Sequence, residues 1–288
     1  MDGRAGERSA TLAGVRIASW NVNSLKVRQE RVEAWIAAVQ PDVLAMQETK
    51  LSDAAAPTMT FQMAGYELAH HGEGRWNGVA IASRVGLQDV SHGFEGTGPD
   101  AEGARFIAAT CGGIRVISVY APNGRALGTE TYEAKLDWYA RLLAWLQVHA
   151  DPASDLVVMG DLNVAPTDLD VYDPAVYVHS THTSEPERAA FRALEDWGLI
   201  DIYRVHHPEP GRYTWWDYRA GNFHKHLGMR IDHMLVTRSL AARTVDAQID
   251  RSARKGTLPS DHAPLFLDVD EKGVPLREPW DPPKVPRR

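Results

Sequence analysis

The sequence predicts a single α/β domain, and three observations carry that prediction. Short apolar runs that read as buried strands alternate with stretches whose apolar residues recur at helical spacing. No segment rich in Gly, Pro or Ser divides this pattern into two units. At 288 residues the chain can bury a substantial core, and its 44% apolar and 24% charged content is ordinary for a globular protein.

In chain order, VRIASWNV (15–22) reads as a buried strand. Val32, Trp35, Ile36 and Val39 then recur at i, i+3, i+4 and i+7, an amphipathic helix that Pro41 stops. Strands follow at 42–49, 78–84 and 115–122, and Gly93 to Gly103 reads as a mobile loop. Tyr132, Leu136, Tyr139, Leu143 and Leu146 mark a second long helix, and DLVVMGD (155–161) a further strand. Ser184 and Glu187 form a capping-box pattern with Pro186 in the first turn, so a helix runs from there to about Trp197. RIDHMLVT (230–237) and APLFLDVD (263–270) close the series as strands. The domain spans residues 13–270. Residues 1–12 lack periodicity and read as a flexible extension, and 271–288 is Pro-rich, basic and expected to be disordered.

No run of about 18 uncharged apolar residues exists, and the first residues lack the apolar stretch of a secretory signal, so no membrane partner is expected. The single cysteine, Cys111, can form no internal disulfide, and the expected compartment is a reducing cytoplasm. The formal charge of −7 runs against a nucleic-acid partner, because phosphate backbones call for basic surface. Net charge decides little, though, when carboxylates gather at a metal site. Five Lys/Arg lie between Arg204 and Arg230 against Glu209 and Asp217, and Arg251, Arg254 and Lys255 form a second basic spot. Either cluster, taken alone, reads as a solvated charged face.

The chemistry gathers where strands end. Asn21 and Asn23 end the first strand, Glu48 the next, and Asp161 with Asn163 another; Asp232 lies in RID, and Asp261 with His262 precede the last strand. Carboxylates and carboxamides so placed can converge at one mouth of a sheet. Few, hard oxygen ligands suit Mg²⁺, with Mn²⁺ able to substitute. One Cys and histidines without ligand spacing disfavour zinc. Any one of these residues is more simply a turn cap.

The ordered set is harder to dismiss. SWNVNSL, LAMQETKL, YAPNGR, MGDLNVAPTDLD, DWGLIDIYR, YTWWDYR, GMRIDHMLV and PSDHAP follow one another along the chain. Together they resemble the exonuclease III family of abasic-site endonucleases, within the endonuclease/exonuclease/phosphatase superfamily, from about Val15 to Val269. QETK, GDLN and SDH would indicate only the superfamily; YTWWDYR followed by RID narrows it to the DNA-repair branch.

The resemblance implies a fold, a four-layer sandwich of two mixed β-sheets flanked by helices, with the site at one end. It implies that Glu48 is the principal metal ligand, with Asn21 and Asp261 completing or supporting the metal shell. Asp161 would orient or deprotonate the attacking water, and Asn163 would bind the scissile phosphate or Asp161. His262 would contact the phosphate while Asp232 fixes its tautomer and favours the imidazolium. Tyr120 and Asn123 would lie on the phosphate side. Trp215, Met229 and Ile231 match a small pocket for a sugar lacking its base, and Met229 departs from relatives that carry a larger aromatic there. Arg105, Trp76, Lys50 and the loop from Arg219 to His226 would grip the DNA backbone. Read without the resemblance, Trp215 and Ile231 are ordinary core residues.

The implied activity is Mg²⁺-dependent hydrolysis of the phosphodiester 5′ to abasic sites in duplex DNA, leaving a 3′-OH, with 3′→5′ exonuclease and 3′-end cleaning at the same site. The expected partner is double-stranded DNA with abasic sites or blocked 3′ ends, bound by a monomer. One rival keeps the machinery and changes the substrate to a phosphomonoester such as a phosphoinositide, but no insertion supplies a head-group pocket. A binding module with a dead site is the other rival, and Glu48, Asp161, Asp232 and His262 are all present against it.

Overall fold

The computed structural model describes residues 14–94 and 103–278. The flexible extension expected at residues 1–12 and most of the loop expected from Gly93 to Gly103 lie outside the described residues.

The first half of the chain forms β1 (Val15–Asn21), α1 (Leu25–Val39), β2 (Val43–Gln47), α2 (Thr58–Met63), β3 (Glu67–His71), β4 (Val79–Ser83) and β5 (Gln88–His92). It continues through β6 (Phe106–Cys111), β7 (Ile114–Tyr120), α3 (Glu130–His149) and β8 (Leu156–Asp161). The second half adds α4 (Glu185–Trp197), β9 (Leu199–Asp201), α5 (Ile202–His206) and α6 (Asn222–Lys225). It ends with β10 (Asp232–Thr237), α7 (Arg238–Arg243), β11 (Thr244–Ile249) and β12 (Leu265–Val269). One six-stranded sheet runs β11-β12-β1-β2-β4-β3 and the other β5-β6-β7-β8-β10-β9. Both are mixed: β1–β2 and β7–β8 are parallel and the other pairs antiparallel.

Strand alternation builds the layers. Ile17, Val43, Ala45, Val79 and Ile81 of the first sheet meet Ile107, Val116, Val157, Met159 and Met234 of the second, all buried. The opposite sets face outward under helices. Ala18, Trp20, Leu44 and Met46 pack on Val32, Trp35 and Ile36 of α1 and Phe61 of α2, while Phe106, Ile117, Val119 and Val158 pack on Trp138, Tyr139 and Leu142 of α3 and Phe191 of α4. Strands covered on both faces read as continuous apolar runs, which is why the central ones were visible in the sequence. A polar pin crosses the inner layer beside the site: Gln47 Nε2 donates to Ser118 Oγ at 3.0 Å, and all three of Ser19, Gln47 and Ser118 are fully buried.

The capping box forms as expected, with Ser184 accepting from Glu187 N and Glu187 accepting from Ser184 N. Boundaries shift by a residue or two at most strands. The strand expected from Arg230 starts at Asp232, because Arg230 and Ile231 belong to an irregular crossing paired partly with Asp170 and Thr214. Strands β3, β5, β6, β9 and β11 were not read from the sequence. Four of these, β3, β5, β9 and β11, are sheet edges; β3 and β5 carry exposed polar residues and β9 is only three residues long, so no apolar alternation marks them.

The stretch expected to be a disordered tail begins with ordered chain. Arg16, paired with Asp268 at 2.7 Å, also donates to the Val274 carbonyl at 2.6 Å, Gly273 N donates to Asp268, and Leu276 packs against the α1 side of the core.

Candidate active site

Every strand-end residue singled out above arrives at one end of the sandwich, where the two sheets meet. Register does much of this. Asp161 lies opposite Tyr120 on one side and Asp232 on the other, so β7, β8 and β10 deliver three polar side chains in a row. Gly160 makes the close approach possible: at φ 141° a Cβ there would sit 2.0 Å from the Val119 carbonyl oxygen. From the first sheet, Asn21 ends β1 and Glu48 follows β2 in a left-handed backbone conformation, φ 52°. Such a conformation costs a non-glycine residue on the order of 1–3 kcal/mol and collects at functional sites. Asn163 shares it, at φ 51°.

Asn21 Nδ2 donates to both Glu48 Oε1 and Asp161 Oδ2, each at 2.9 Å, and so ties the two sheets together at the site. Its Oδ1 accepts from Asn23 N at 3.0 Å, so in this arrangement Asn21 is a clamp between carboxylates. Glu48 also receives Lys50 Nζ at 2.9 Å and the Tyr120 hydroxyl. His262 Nδ1 donates to Asp232 Oδ2 at 2.8 Å, and its Nε2 stands 3.8 Å from Asp161 Oδ2. Asp161 Oδ1 accepts from Asn163 N at 3.0 Å.

These groups are out of water, and their ionisation shows it. Burial, then Asp232 and Glu48, raise the Asp161 carboxyl to about 8 against the pull of His262. Burial works against a charged His262, yet Asp232 and then Asp161 raise it to about 10. Tyr120 is driven well above its ordinary value by burial and by the Glu48 and Asp161 charges. With Glu48, Asp161 and Asp232 gathered out of water, the site as a whole favours added positive charge.

Ligand atoms of Glu48, Asp161 and His262 lie within 4.8 Å of one another, close enough to share one cation. Two carboxylates under one amide clamp form a hard-oxygen set, which fits a divalent magnesium-type ion. Asp261 stands one step away. Its Oδ1 accepts from Asn23 Nδ2 at 2.9 Å and its Oδ2 from Trp215 Nε1 at 3.1 Å. His262 holds its carboxyl below the usual range despite burial.

Trp215, Met229 and Ile231 do meet, in an apolar cluster with Ala165, Val171 and Tyr177. Met229 and Ile231 are buried as core residues are, at 4% and 3% exposure. Trp215 is half-buried, and its tie to Asp261 places the cluster against the acidic edge. Arg105 is tied to Tyr120, donating to its carbonyl at 3.2 Å with the guanidinium 4.5 Å over the ring. Lys50 also donates to Asn23 Oδ1 at 2.6 Å and belongs to the metal-side edge. Trp76 is well exposed, at 68%, in the segment between β3 and β4 whose Asn77 and Gly78 carbonyls accept from Lys50 N and Thr49 N.

The basic stretch from Arg204 to Arg230 is not one charged face. Arg230 is fully buried between Asp170 and Asp201, each at 2.7 Å; Arg204 joins it on Asp170; and Arg212 and Arg219 are taken up by Glu209 and Asp217. It braces the turn that carries Met229, Ile231 and Asp232.

Sequence reading missed two features. His182 Nε2 lies 3.1 Å from Asn163 Oδ1 and 3.2 Å from Asn123 Nδ2, completing a polar trio beside Asp161. Burial, then Lys135, lower this ring to about 4, so it is neutral at physiological pH. Behind it Lys135 is fully buried against Glu187 and donates to the Asn163 carbonyl at 2.7 Å. The i, i+4 apolar pattern of α3 gave no hint that one polar position of the helix turns inward.

Two mixed sheets between helices, with carboxylates and a histidine at the seam, define a hydrolase-type site of known family. The chain belongs to the endonuclease/exonuclease/phosphatase family, whose model matches residues 18–262. It is 35% identical to exodeoxyribonuclease III of Haemophilus influenzae, over 88% of this chain and 99% of that one. Among solved structures it resembles an AP endonuclease from Archaeoglobus fulgidus, with 38% identity and a TM-score of 0.86 over 89% of this chain and 100% of the other. A 3′ phosphatase of Neisseria, solved with a product DNA hairpin, matches with 41% identity and a TM-score of 0.85 over 89% and 100% of the two chains. The four-layer fold expected from the motifs is the one observed.

Proposed function

We propose that this protein is a DNA-repair nuclease that hydrolyses the phosphodiester 5′ to abasic sites in duplex DNA, leaving a 3′-OH, and processes 3′ ends at the same site with Mg²⁺. The observation that carries this reading is the meeting of Glu48, Asn21, Asp161 and the His262–Asp232 pair at one seam. The relatives above are named as an exodeoxyribonuclease, an AP endonuclease and a 3′ phosphatase, and none as a phosphoinositide enzyme.

Each residue has work that its position allows. Phosphodiester hydrolysis builds negative charge on the non-bridging oxygens and on the departing 3′ oxygen. His262, kept cationic by Asp232, donates to a phosphate oxygen. Asp161, held by Asn21 and Asn163 N and charged when a cation offsets the neighbouring carboxylates, orients the attacking water and accepts its proton, a step typically worth about 10²- to 10⁴-fold. Asn163, steadied by Asn123 and His182, hydrogen-bonds the phosphate, and Tyr120 steadies Glu48. Glu48, with Asp161 and His262 nearby and Asp261 behind, would hold a divalent cation, whose chemistry is Lewis-acid stabilisation of phosphoryl charge. Lys50, Arg105 and Trp76 stand at the rim for the DNA strand, and Trp215, Met229 and Ile231 form the apolar side on which a bare sugar rests.

The test compares three labelled duplexes, one with a tetrahydrofuran site, one with a 3′-phosphate and one with a plain recessed 3′ end, each with Mg²⁺ or EDTA. Metal-dependent cutting 5′ to the tetrahydrofuran supports the whole proposal. A second reading, an enzyme of 3′ ends alone, is favoured by the 3′ phosphatase relative; removal of 3′-phosphate without tetrahydrofuran incision would establish it. Release of phosphate from inositol phosphates with all three duplexes intact would overturn both.

A further inference from the structure

Four guanidiniums crowd the loop after β11, and among the described residues none of them forms an ion pair. Arg31 donates to the carbonyls of Ala253, Lys255 and Thr257 at 2.6–2.9 Å, and Arg28 to Pro259 at 3.3 Å and to the Tyr218 hydroxyl at 3.1 Å. Arg251 donates to the Phe223 carbonyl at 2.9 Å and Arg254 to the Trp216 carbonyl at 3.1 Å. The Nε of each of the four is buried without a hydrogen-bond partner. Aromatic faces take the rest of the contact: Arg251 lies 4.1 Å from the Phe223 ring, and Arg254 lies 4.9 Å from Tyr218 and 5.2 Å from Phe223. This is not the solvated charged face that the sequence suggested at Arg251 and Arg254.

Carbonyl oxygens and rings hold cations in place but leave their charge uncancelled. Burial, with repulsion from neighbouring guanidiniums, lowers the tendency of Arg31, Arg251 and Arg254 to stay charged, and for Arg254 it does so against the pull of Tyr218 and Asp261. The nearby carboxylates are occupied. Asp250 accepts from Trp35 and Ser252, Asp217 from Arg219, and Asp261 from Asn23 and Trp215, while Glu278 pairs with the exposed Lys255. A buried cation kept without a counter-charge is costly unless a ligand supplies one.

A pocket of about 290 Å³ opens at this cluster, lined by Arg254, Lys255, His224, Gly256, Tyr218 and Asp217 among others. Arg254 is only 6% exposed, yet it lines this pocket. Tyr218 connects the pocket to the active site: its hydroxyl donates to the Pro259 carbonyl at 2.8 Å and lies 3.5 Å from Asn23 Nδ2, which holds Asp261.

We propose that this pocket is a second anion site, built for one backbone phosphate of the strand whose scissile phosphate lies at His262. Arg254 is its buried cation and Lys255 its exposed one. The planar guanidinium matches the phosphate oxygens. In a chain of formal charge −7, such a local reservoir of positive charge gives a polyanion somewhere to dock. The inference rests on the nuclease reading for its ligand, but its test is a binding measurement.

The test is equilibrium binding of a short labelled duplex with a recessed 3′ end, without divalent metal, as a function of salt. Removing one phosphate contact lowers the slope of log affinity against log salt by about 1. Arg254→Gln is expected to show that loss, with affinity at low salt down about 3- to 10-fold. Under turnover it should raise KM with little effect on kcat. Lys255→Gln, at an exposed position that cannot unfold the chain, is expected to act in the same direction more weakly. A single methylphosphonate linkage placed along the strand should weaken wild-type binding at one position and leave Arg254→Gln, or Lys255→Gln should the first fail to fold, much less affected. Unchanged slopes in the folded variants, or no position at which the neutral linkage matters, would overturn the site. Altered slopes without metal-dependent cleavage would keep the site and remove the nuclease reading; cleavage with unaltered slopes would do the reverse.

Discussion

Asp232 holds His262 by its Nδ1 at 2.8 Å, with both side chains buried and the second oxygen of Asp232 left without a hydrogen-bond partner. The carboxylate therefore keeps most of its charge for the ring. Asp232→Asn preserves shape and removes that charge, so His262 loses its main reason to be an imidazolium. The expected outcome is a fall in kcat of about 10²-fold or more with DNA binding largely kept. Single-turnover cleavage at the wild-type rate would take the pair out of the mechanism.

Asp161→Asn separates base from ligand. It keeps the Asn21 contact in outline and loses the proton acceptor, so turnover should drop at least about 10²-fold. Glu48→Gln acts differently: with one cation-facing charge gone, the magnesium concentration giving half-maximal rate should rise. An unchanged magnesium titration for Glu48→Gln would contradict its assignment.

Trp215 joins the apolar cluster to Asp261, so Trp215→Ala disturbs both. Abasic incision should suffer more than digestion of a plain duplex end, because only incision needs a sugar held out of the stack. Met229→Trp stiffens the same wall and should sharpen the preference for abasic DNA. Melting temperatures must accompany both, since truncating even a half-buried Trp removes packing, at a cost below the roughly 3–5 kcal/mol of a fully buried one. Equal losses in both activities by a folded Trp215→Ala would make the residue structural.

Arg230 carries a prediction about acid. Arg230 and Arg204 hold Asp170 down to about 2 against the effect of burial, and Arg230 and His233 hold Asp201 below the usual range. A carboxyl with a depressed folded value adds stability above its unfolded value of about 4. That stability is lost as pH falls through the folded value. Denaturant midpoints should thus drop between about pH 4 and pH 2, and Arg230→Ala should cost about 3–5 kcal/mol at neutral pH, because it leaves buried Asp201 with His233 and buried Asp170 with Arg204 alone. A flat acid profile would show the network to be neutral in effect.

The residues after Asp270 give a second test of stability. Their prolines and scarce apolar side chains suggested a dispensable tail, but Arg16 grips the Val274 carbonyl and Leu276 covers the α1 core. Truncation after Glu271 should lower the melting temperature by several degrees, a loss of about 2 kcal/mol at this chain length. An unaltered melting curve would return the segment to the tail.

The strand ends that bear Asn21, Glu48, Asp161, Asp232 and His262 were legible because central strands are apolar on both faces and the motifs come in a fixed order. Edge strands such as Gln88–His92 were not, since half-exposed polar residues follow no period. Charge was the least readable property. Arg230 and Arg254 look alike in a sequence, yet one is saturated by Asp170 and Asp201 and the other forms no ion pair among the described residues. Pairing depends on partners 29 to 60 positions away, which no local pattern encodes. Lys135 and His182 were hidden for the same reason.

The row Tyr120–Asp161–Asp232 lies across three adjacent strands, and side chains on a strand alternate between faces. A slip of one residue between any two of them would turn one carboxylate to the wrong side of the sheet. Compact states with the right composition but the wrong pairing would therefore be chemically silent. Turnover in this protein is an all-or-none report on native register, and recovery of activity after refolding counts only molecules whose β7, β8 and β10 have found one another in a single alignment.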